Sequence, residues 1–360
     1  MNRRTLLAAA TAVTVVPAVI RSGATSSGAT SSGAISSGAI RSAWAQTAET
    51  SVIRLSHGYG ILYLPLMVMR HRKLLEGQLE RVGLPVANVT WALFDGGNVI
   101  NDAMLAGALD IAGTGAPGFV TLWAKARGIP RAEVVGVSGL SSCALSLNVN
   151  REHIKTLADF GPNDKIAVPG IKTSLAAVVL QMLVAAKFGA ENYAKLDPIT
   201  VGLPHPEAYG ALMSGRTEIA AHFASPPYSI LELKDPRIHR VVAASEVLGD
   251  GTLDVVFAPR RFVDANPRTM AAFLAALDEA NALIAAHPEQ AAEAFIAMAA
   301  AKMSADDVLA MVRDRDTRFD TTPHGVMAYA TFMKGVGSIK QAPAQWSVMF
   351  MSSLKDRPGS

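Results

Sequence analysis

One pattern in this chain occurs twice, and it narrows the accessible folds more than any other feature. Trp91–Pro117, WALFDGGNVINDAMLAGALDIAGTGAP, reads as strand, loop, helix, strand and loop. Trp91–Phe94 is a short apolar run, and Asp95-Gly96-Gly97-Asn98 is a cluster of turn formers. Val99, Ile100, Ala103, Met104 and Leu105 then recur at helical spacing, with Gly107 placed to end the helix. Leu109–Ala112 resumes as a strand, and Gly113–Pro117 forms a second glycine-rich loop. Ile199–Pro227, ITVGLPHPEAYGALMSGRTEIAAHFASPP, repeats the pattern. At an offset of 108 residues, Ala103, Met104, Gly107, Asp110, Ile111 and Ala112 match Ala211, Leu212, Gly215, Glu218, Ile219 and Ala220. Two such α/β units, each ending in a turn-rich loop beyond a strand, predict two lobes facing one another across a cleft.

The length of 360 residues is enough for two domains with a core each. Half the residues are hydrophobic and only 18% are charged, a globular composition on the apolar side. The net charge of +3 is concentrated at the front, where residues 1–45 hold Arg3, Arg4, Arg21 and Arg41 and no acids. Taking those four from the 33 bases leaves 29 against 30 acids, a net −1 for the remainder. That balance excludes the basic footprint of a nucleic-acid binder.

Residues 1–45 read as an export signal with a low-complexity tract. Arg3-Arg4 precedes an apolar run from Leu6 to Ile20, shorter than the roughly 20 residues that span a bilayer. The tract SGATSSGATSSGAISSGAI has no side chains able to build a core, and Ala43-Trp44-Ala45 before Gln46 is an A-x-A cleavage site. Arg3-Arg4 with Thr5-Leu6-Leu7 resembles a twin-arginine signal. The expected location is therefore periplasmic, with cleavage after Ala45. The single cysteine, Cys143, cannot form an intramolecular disulfide.

Past the leader, strands alternate with helices, which predicts mostly parallel α/β sheets. Strands are expected at Ser51–Ser56, Val86–Phe94, Val134–Val137, Ala144–Val149, Lys165–Val168, Arg240–Ala244 and Leu253–Ala258, the last returning the chain to the first lobe. One helix is expected over Ile61–Leu75, with Pro65 in its first turn. From Asn266 onward the pattern reads as entirely helical: Asn266-Pro267 starts one helix, His287-Pro288 breaks it, and Ser304 with Asp307 caps a third.

The succession SVIRLSHGYG, LFDGGNVINDAMLAGALDIAGTGAP, LADFGPNDKIAVPG and MSGRTEIAAHFASPPY resembles the substrate-binding proteins of nitrate/sulfonate/taurine-type ABC importers, over essentially the whole chain past the leader. The resemblance implies a two-lobed periplasmic binding protein fold of type II with a helical C-terminal region. Lobe 1 would comprise 46–141 and 255–360, and lobe 2 would comprise 142–254. The hinge crossings would lie near Ser138–Ala144 and Asp254–Val256. The implied partners are a small-molecule ligand and membrane permease subunits, with a monomeric protein, no nucleic acid and no cofactor. The chain departs from many relatives at His222-Phe223-Ala224-Ser225-Pro226-Pro227, where those have an aromatic or acidic W-E-P, so their ligand is not carried over.

Ligands in open α/β sheets gather beyond the carboxyl ends of strands. That rule selects His57 and Tyr59; Asp95, Gly96 and Asn98; Thr114, Gly115 and Ala116; Lys172, Thr173 and Ser174; His205; and His222, Phe223 and Ser225. Gly170–Ser174 carries the clearest chemistry, because a helix start leaves amides unpaired and favours an anion by about 0.3–1 kcal/mol. An ordinary capped helix with a solvated lysine explains it equally well. His57, His205 and His222 lack the paired spacing of a metal site, and each has a plain alternative as a loop histidine bonded to its own lobe. Tyr59 and Phe223 suit either stacking on a flat ligand or the core. Asp95 reads most simply as a cap for the helix that follows, whereas Asp254, inside an apolar run, needs a partner if buried.

Gly113-Thr114-Gly115-Ala116-Pro117-Gly118 is a literal G-x-G-x-x-G after a strand, but the acid that should end the next strand is missing, and Pro117 removes an amide donor. With no P-loop, nucleophile elbow or C-x-x-C, the sequence gives catalysis no positive support. The leading expectation is a solute-binding component of an ABC importer, not an enzyme. Its ligand would be a sulfonate, a carboxylate or a neutral aromatic molecule. The alternative is an enzyme of the thiamine-pyrimidine-synthase type, whose cytoplasmic setting conflicts with an export leader. A ligand-sensing domain is a third reading, with no signalling segment to support it.

Overall fold

The computed structural model describes residues 49–84, 88–299 and 302–360; the leader and its cleavage site lie outside the described residues. Ten strands among these residues form two five-stranded sheets. The first sheet contains β1 (Val52–His57), β2 (Asn88–Leu93), β3 (Ile111–Gly115), β4 (Val134–Ser141) and β10 (Asp254–Pro259), in the order β2-β1-β3-β10-β4. The second contains β5 (Ser146–Val149), β6 (Lys165–Val168), β7 (Thr200–Gly202), β8 (Ile219–Ala224) and β9 (His239–Ala243), in the order β7-β6-β8-β5-β9. In each sheet one strand runs against its neighbours. β10 is antiparallel to β3 and β4, and β5 is antiparallel to β8 and β9. The two sheets thus share one topology, and the expected mostly parallel α/β architecture is present twice.

The repeated unit explains the match. In the first sheet, α3 (Gly97–Leu105) is followed by Gly107 at φ 72°, then β3, then α4 (Ala116–Ala126). In the second, α6 (His205–Ser214) is followed by Gly215 at φ 62°, then β8, then α7 (Tyr228–Leu233). Both glycines adopt the left-handed conformation that ends a helix without a Cβ penalty. β3 and β8 are each the third strand of their sheet, so the loops that follow them occupy equivalent positions.

The helices on the first sheet begin with a 3-10 turn at Ile61–Tyr63, then α1 (Leu64–His71) and α2 (Leu74–Arg81). The sequence predicts a single helix here, but Lys73 takes φ 53° and breaks it in two. On the second sheet lie α5 (Leu175–Phe188), α6 and α7, with α8 (Ser245–Leu248) on the return path. The C-terminal part supplies α9 (Arg260–Ala265), α10 (Pro267–Ala286), α11 (Pro288–Met298), α12 (Ala305–Val312) and α13 (Val326–Gly335). α10 packs on α1 and α2 through a stripe that includes Phe273, Leu277, Ala280 and Ile284. Burying each of the larger of these side chains contributes about 1.5–3 kcal/mol.

Beyond Val312 the chain departs from the all-helical expectation. Residues 313–325 are irregular, because Thr321-Thr322-Pro323 and Gly325 interrupt any helix. This segment fastens the passages between sheets: Arg318 bridges Ser142, and Thr252 N donates to His324 O at 2.8 Å. The chain leaves the first sheet at Ser141, enters the second at Ser146, and returns between Ala243 and Asp254.

Candidate functional site

The carboxyl ends of strands from the two sheets meet, and backbone brings them close. Asp95, in the loop after β2, accepts a hydrogen bond through Oδ2 from the His205 backbone N–H at 2.9 Å. Ile61 N donates to Pro226 O at 2.9 Å. These bonds join residues far apart in sequence and hold the two faces together. Gly96 and Gly115 allow the approach: a Cβ on Gly96 would lie 3.0 Å from Pro169 O, and one on Gly115 would lie 2.8 Å from the Leu175 Cβ. Between the faces remains a cavity of about 40 Å³. A water needs about 10–15 Å³ by this measure, so the space has room for only a few waters. The faces are closed upon each other.

Of the residues selected from the sequence, Tyr59, Asp95, Gly96, Thr114, Gly115, Ser174, His205 and Ser225 line this cavity. The others lie elsewhere. Lys172 is exposed, with φ 64°, and neither it nor Thr173 lines the cavity. The start of α5 is capped by Ser174, whose Oγ accepts from Ala177 N at 3.2 Å. Asn98 is exposed and does not line the cavity. Ala116 is buried, its N–H donating to Leu253 O at 2.8 Å. Phe223 is in the core. His57 is buried under the first sheet's end, its Nδ1 2.9 Å from Gly58 O and its Nε2 3.4 Å from Arg70. Burial, with the charge of Arg70 adding, lowers its pKa.

Two cavity residues escaped the selection although each has a chemical role. Tyr63 sits in the 3-10 turn and was hidden inside an apolar run. Asp254 opens β10, and its signal was a lone acid within an apolar strand. Asp254 is 1% exposed and its Oδ2 has no partner. Burial pushes its carboxyl up to about 7; the Tyr63 hydroxyl beside it opposes the shift and Asp95 adds to it. Burial likewise raises Asp95 to about 6, against the His205 N–H, the charge of His222 and the Gly96 N–H. Asp95 does not cap α3, because the N-cap position is Gly96 and no side chain bonds to the helix's first amides.

Behind His205 runs a buried polar chain. His205 Nδ1 lies 2.8 Å from His222 Nε2, and His222 Nδ1 lies 2.5 Å from Glu232 Oε1. Glu232 Oε2 accepts from Asn148 Nδ2 at 2.8 Å. His222 and Glu232 are both fully buried, so the sequence's placement of His222 at the ligand is corrected: it stands one step behind His205. A carboxylate is an acceptor, so a neutral His222 keeps its proton on Nδ1 and accepts from His205 Nδ1–H. His205 Nε2 is then a bare acceptor. A proton added to His222 reverses that bond and makes Nε2 a donor. His205 itself is held neutral, its pKa well below the usual value through burial and the charge of His222. Its ring stacks on Tyr228, with centroids 5.7 Å apart.

The glycine-rich loop after β3 is occupied by protein. A Cβ on Gly113 would meet Leu66, one on Gly115 Leu175, and one on Gly118 the Gly97 Cα, so each glycine serves close packing, not a pyrophosphate. A second cavity, of about 520 Å³, is lined by Ser142, Asp250, Arg318 and His324 at the strand crossings. It shares no lining residue with the cleft where loops of the two sheets meet, so the smaller cleft is the better candidate despite its size. Among the described residues no three His, Cys, Asp or Glu side chains gather as a metal-holding group.

No protein-family model matches the chain, and no curated protein matches its sequence. Its fold is matched by solved structures. The alkanesulfonate-binding protein SsuA from Xanthomonas axonopodis pv. citri, bound to MOPS, superposes with a TM-score of 0.64 at 19% identity, covering 82% of this chain and 96% of that one. The periplasmic nitrate-binding protein NrtA from Synechocystis PCC 6803 gives 0.61 at 13% identity, covering 84% of each chain. A Candida albicans protein described as having the generic periplasmic binding protein structural fold gives 0.61 at 14% identity, covering 81% of this chain and 92% of that one. The chain has the periplasmic binding protein fold.

Proposed function

We propose that this protein is the solute-binding component of an ABC importer, capturing a small molecule between its lobes and delivering it to a permease. The observation that carries the reading is the closed cleft: equivalent loops of two like sheets meet around buried polar groups, some of them unpartnered. A solute touching both faces stabilises the closed form by population shift. We assign lobe 1 to 46–141 and 255–360 and lobe 2 to 142–254, and the contacts to Tyr59, Asp95, Thr114, Ser174, His205 and Ser225. The protein acts on its solute by reversible capture, without chemical turnover. The test is a thermal-shift panel of sulfonates, nitrate, carboxylates, amines and pyrimidines. A solute at 100 times its dissociation constant stabilises by about 2.7 kcal/mol. Conversion of a bound solute into a distinct product would refute the reading.

Export to the periplasm follows from the same reading and from the leader. Intact mass of the exported protein is expected to begin at Gln46. Retention of residues 1–45 would count against it.

Closure predicts the effect of Gly115→Ala. The added Cβ meets Leu175 only when the faces are together. Overpacking costs about 1–3 kcal/mol, so the affinity for the solute should fall by roughly 5- to 150-fold. The solute-free melting temperature should change little if the lobes can part. Unchanged affinity by calorimetry would show that the bound form is not this closed form.

A further inference from the structure

We infer that the solute carries a protonated amine or amidine, received by Asp254 and Asp95; this rests on the solute-binding reading and gives it a charge. The residues lining the cavity include these two acids and no lysine or arginine. Among the described residues, six buried side-chain polar atoms lack a partner, and two of them, Asp254 Oδ2 and Thr114 Oγ1, belong to the cavity's wall. Asp254 is 1% exposed and Thr114 is 0% exposed. A buried acceptor without a donor is costly, and native proteins fill such positions with water or ligand.

The titratable groups acting on Asp254 from the elements around it are Tyr63, Asp95, Cys143 and Tyr329. Each is an acid, so among the described residues no cation acts on the carboxylate, and only the Tyr63 hydroxyl supports it. The raised pKa of Asp254, about 7, agrees with a carboxyl that lacks a cation, and burial raises Asp95 to about 6 even against the charge of His222. A cationic solute would restore both as carboxylates and satisfy Asp254 Oδ2. His205 lines the same cavity and is held neutral by burial, so it brings no positive charge to it. An anionic solute would meet two carboxyls, with the start of α5 as its main electropositive support. The cavity of about 40 Å³ suits a head group of a few heavy atoms, and a larger solute requires the lobes to part further.

Acetamidinium, acetamide and acetate share one shape and differ in charge, so they isolate the effect. Each is titrated into the purified protein at pH 8 and matched ionic strength, by calorimetry and thermal shift. Acetamidinium should bind saturably and about tenfold or more tighter than acetamide, as a charge-assisted hydrogen bond implies, with acetate weakest. Asp254→Asn should weaken acetamidinium by about tenfold or more. Affinity should rise with pH and level off above about 7, because the carboxylate is the binding form. If Asp254→Asn fails to fold, the wild-type series decides. Acetate or ethanesulfonate binding more tightly than acetamidinium would overturn the charge assignment and leave the solute-binding reading standing. If these probes and the full panel of amines, amidines, sulfonates, nitrate and carboxylates all fail to bind saturably, both readings fall.

Discussion

Glu232→Ala is expected to destabilise the protein by about 2–6 kcal/mol, the cost of leaving two buried donors without an acceptor at about 1–3 kcal/mol each. Glu232 is fully buried in α7 and serves two donors: His222 Nδ1 on Oε1 and Asn148 Nδ2 on Oε2. Its removal leaves both donors in the interior, where water cannot replace the carboxylate. The loss spreads further, because His222 positions His205 and Asn148 accepts from Ser146 Oγ at 3.0 Å. The chain β5–α7–β8–α6 is therefore tied together by side chains as well as by the sheet. Glu232→Gln keeps the shape and one acceptor, and it should lose less than the alanine variant. Denaturant unfolding of the three proteins at pH 7.5 measures this. A loss below about 1 kcal/mol for the alanine variant would show that the network is solvated, since exposed ion pairs contribute only that much.

His222 shows how far the sequence could be read and where it stopped. The repeated unit was accessible because its signals are local: helical spacing, a left-handed glycine and a following strand, at Gly107 and again at Gly215. The rule that ligands collect beyond strand ends found Asp95, Thr114, Ser174, His205 and Ser225 for the same reason. What a loop residue points at is a non-local fact. His222 lies inside β8, paired with Asn148 and Ala167, and its neighbour Glu232 is ten residues on in a helix. Asn148, His222 and Glu232 are each a polar residue in an apolar run, and that shared oddity was the available signal for a buried network. Asp254 carried the same mark. Its neighbours in the wall come from β3 and the turn before α1, more than a hundred residues away, so no spacing could reveal them. Lys172 misled in the opposite direction: a charge beside a helix start suggested an anion, whereas its left-handed backbone accompanies an exposed side chain.

Asp254→Asn is expected to make the solute-free protein more stable at pH 8, by up to about 4 kcal/mol, and to leave it unchanged near pH 3.5. The folded carboxyl titrates at about 7 against an ordinary 3.8, a difference of about 3 units at 1.36 kcal/mol each. The sign follows from which state holds the proton. Between pH 4 and 7 the unfolded chain has released it and the folded chain has not, so stability falls as pH rises through that window. Above about 7 the loss is complete and constant. Asp95, titrating at about 6, has the same sign over a narrower window. His205 has the opposite sign, since its depressed pKa removes stability as pH falls below about 6.5. The wild-type profile therefore mixes opposing slopes, and only the difference between wild type and Asp254→Asn isolates the one carboxyl. Urea unfolding of both proteins at pH 3.5, 5.5 and 8 provides it. A variant less stable than wild type at pH 8 would mean that a partner already holds the carboxylate, and the acid would then be structural. A gain in stability joined to a loss of amine binding would mark Asp254 as a residue kept for function at the expense of the fold.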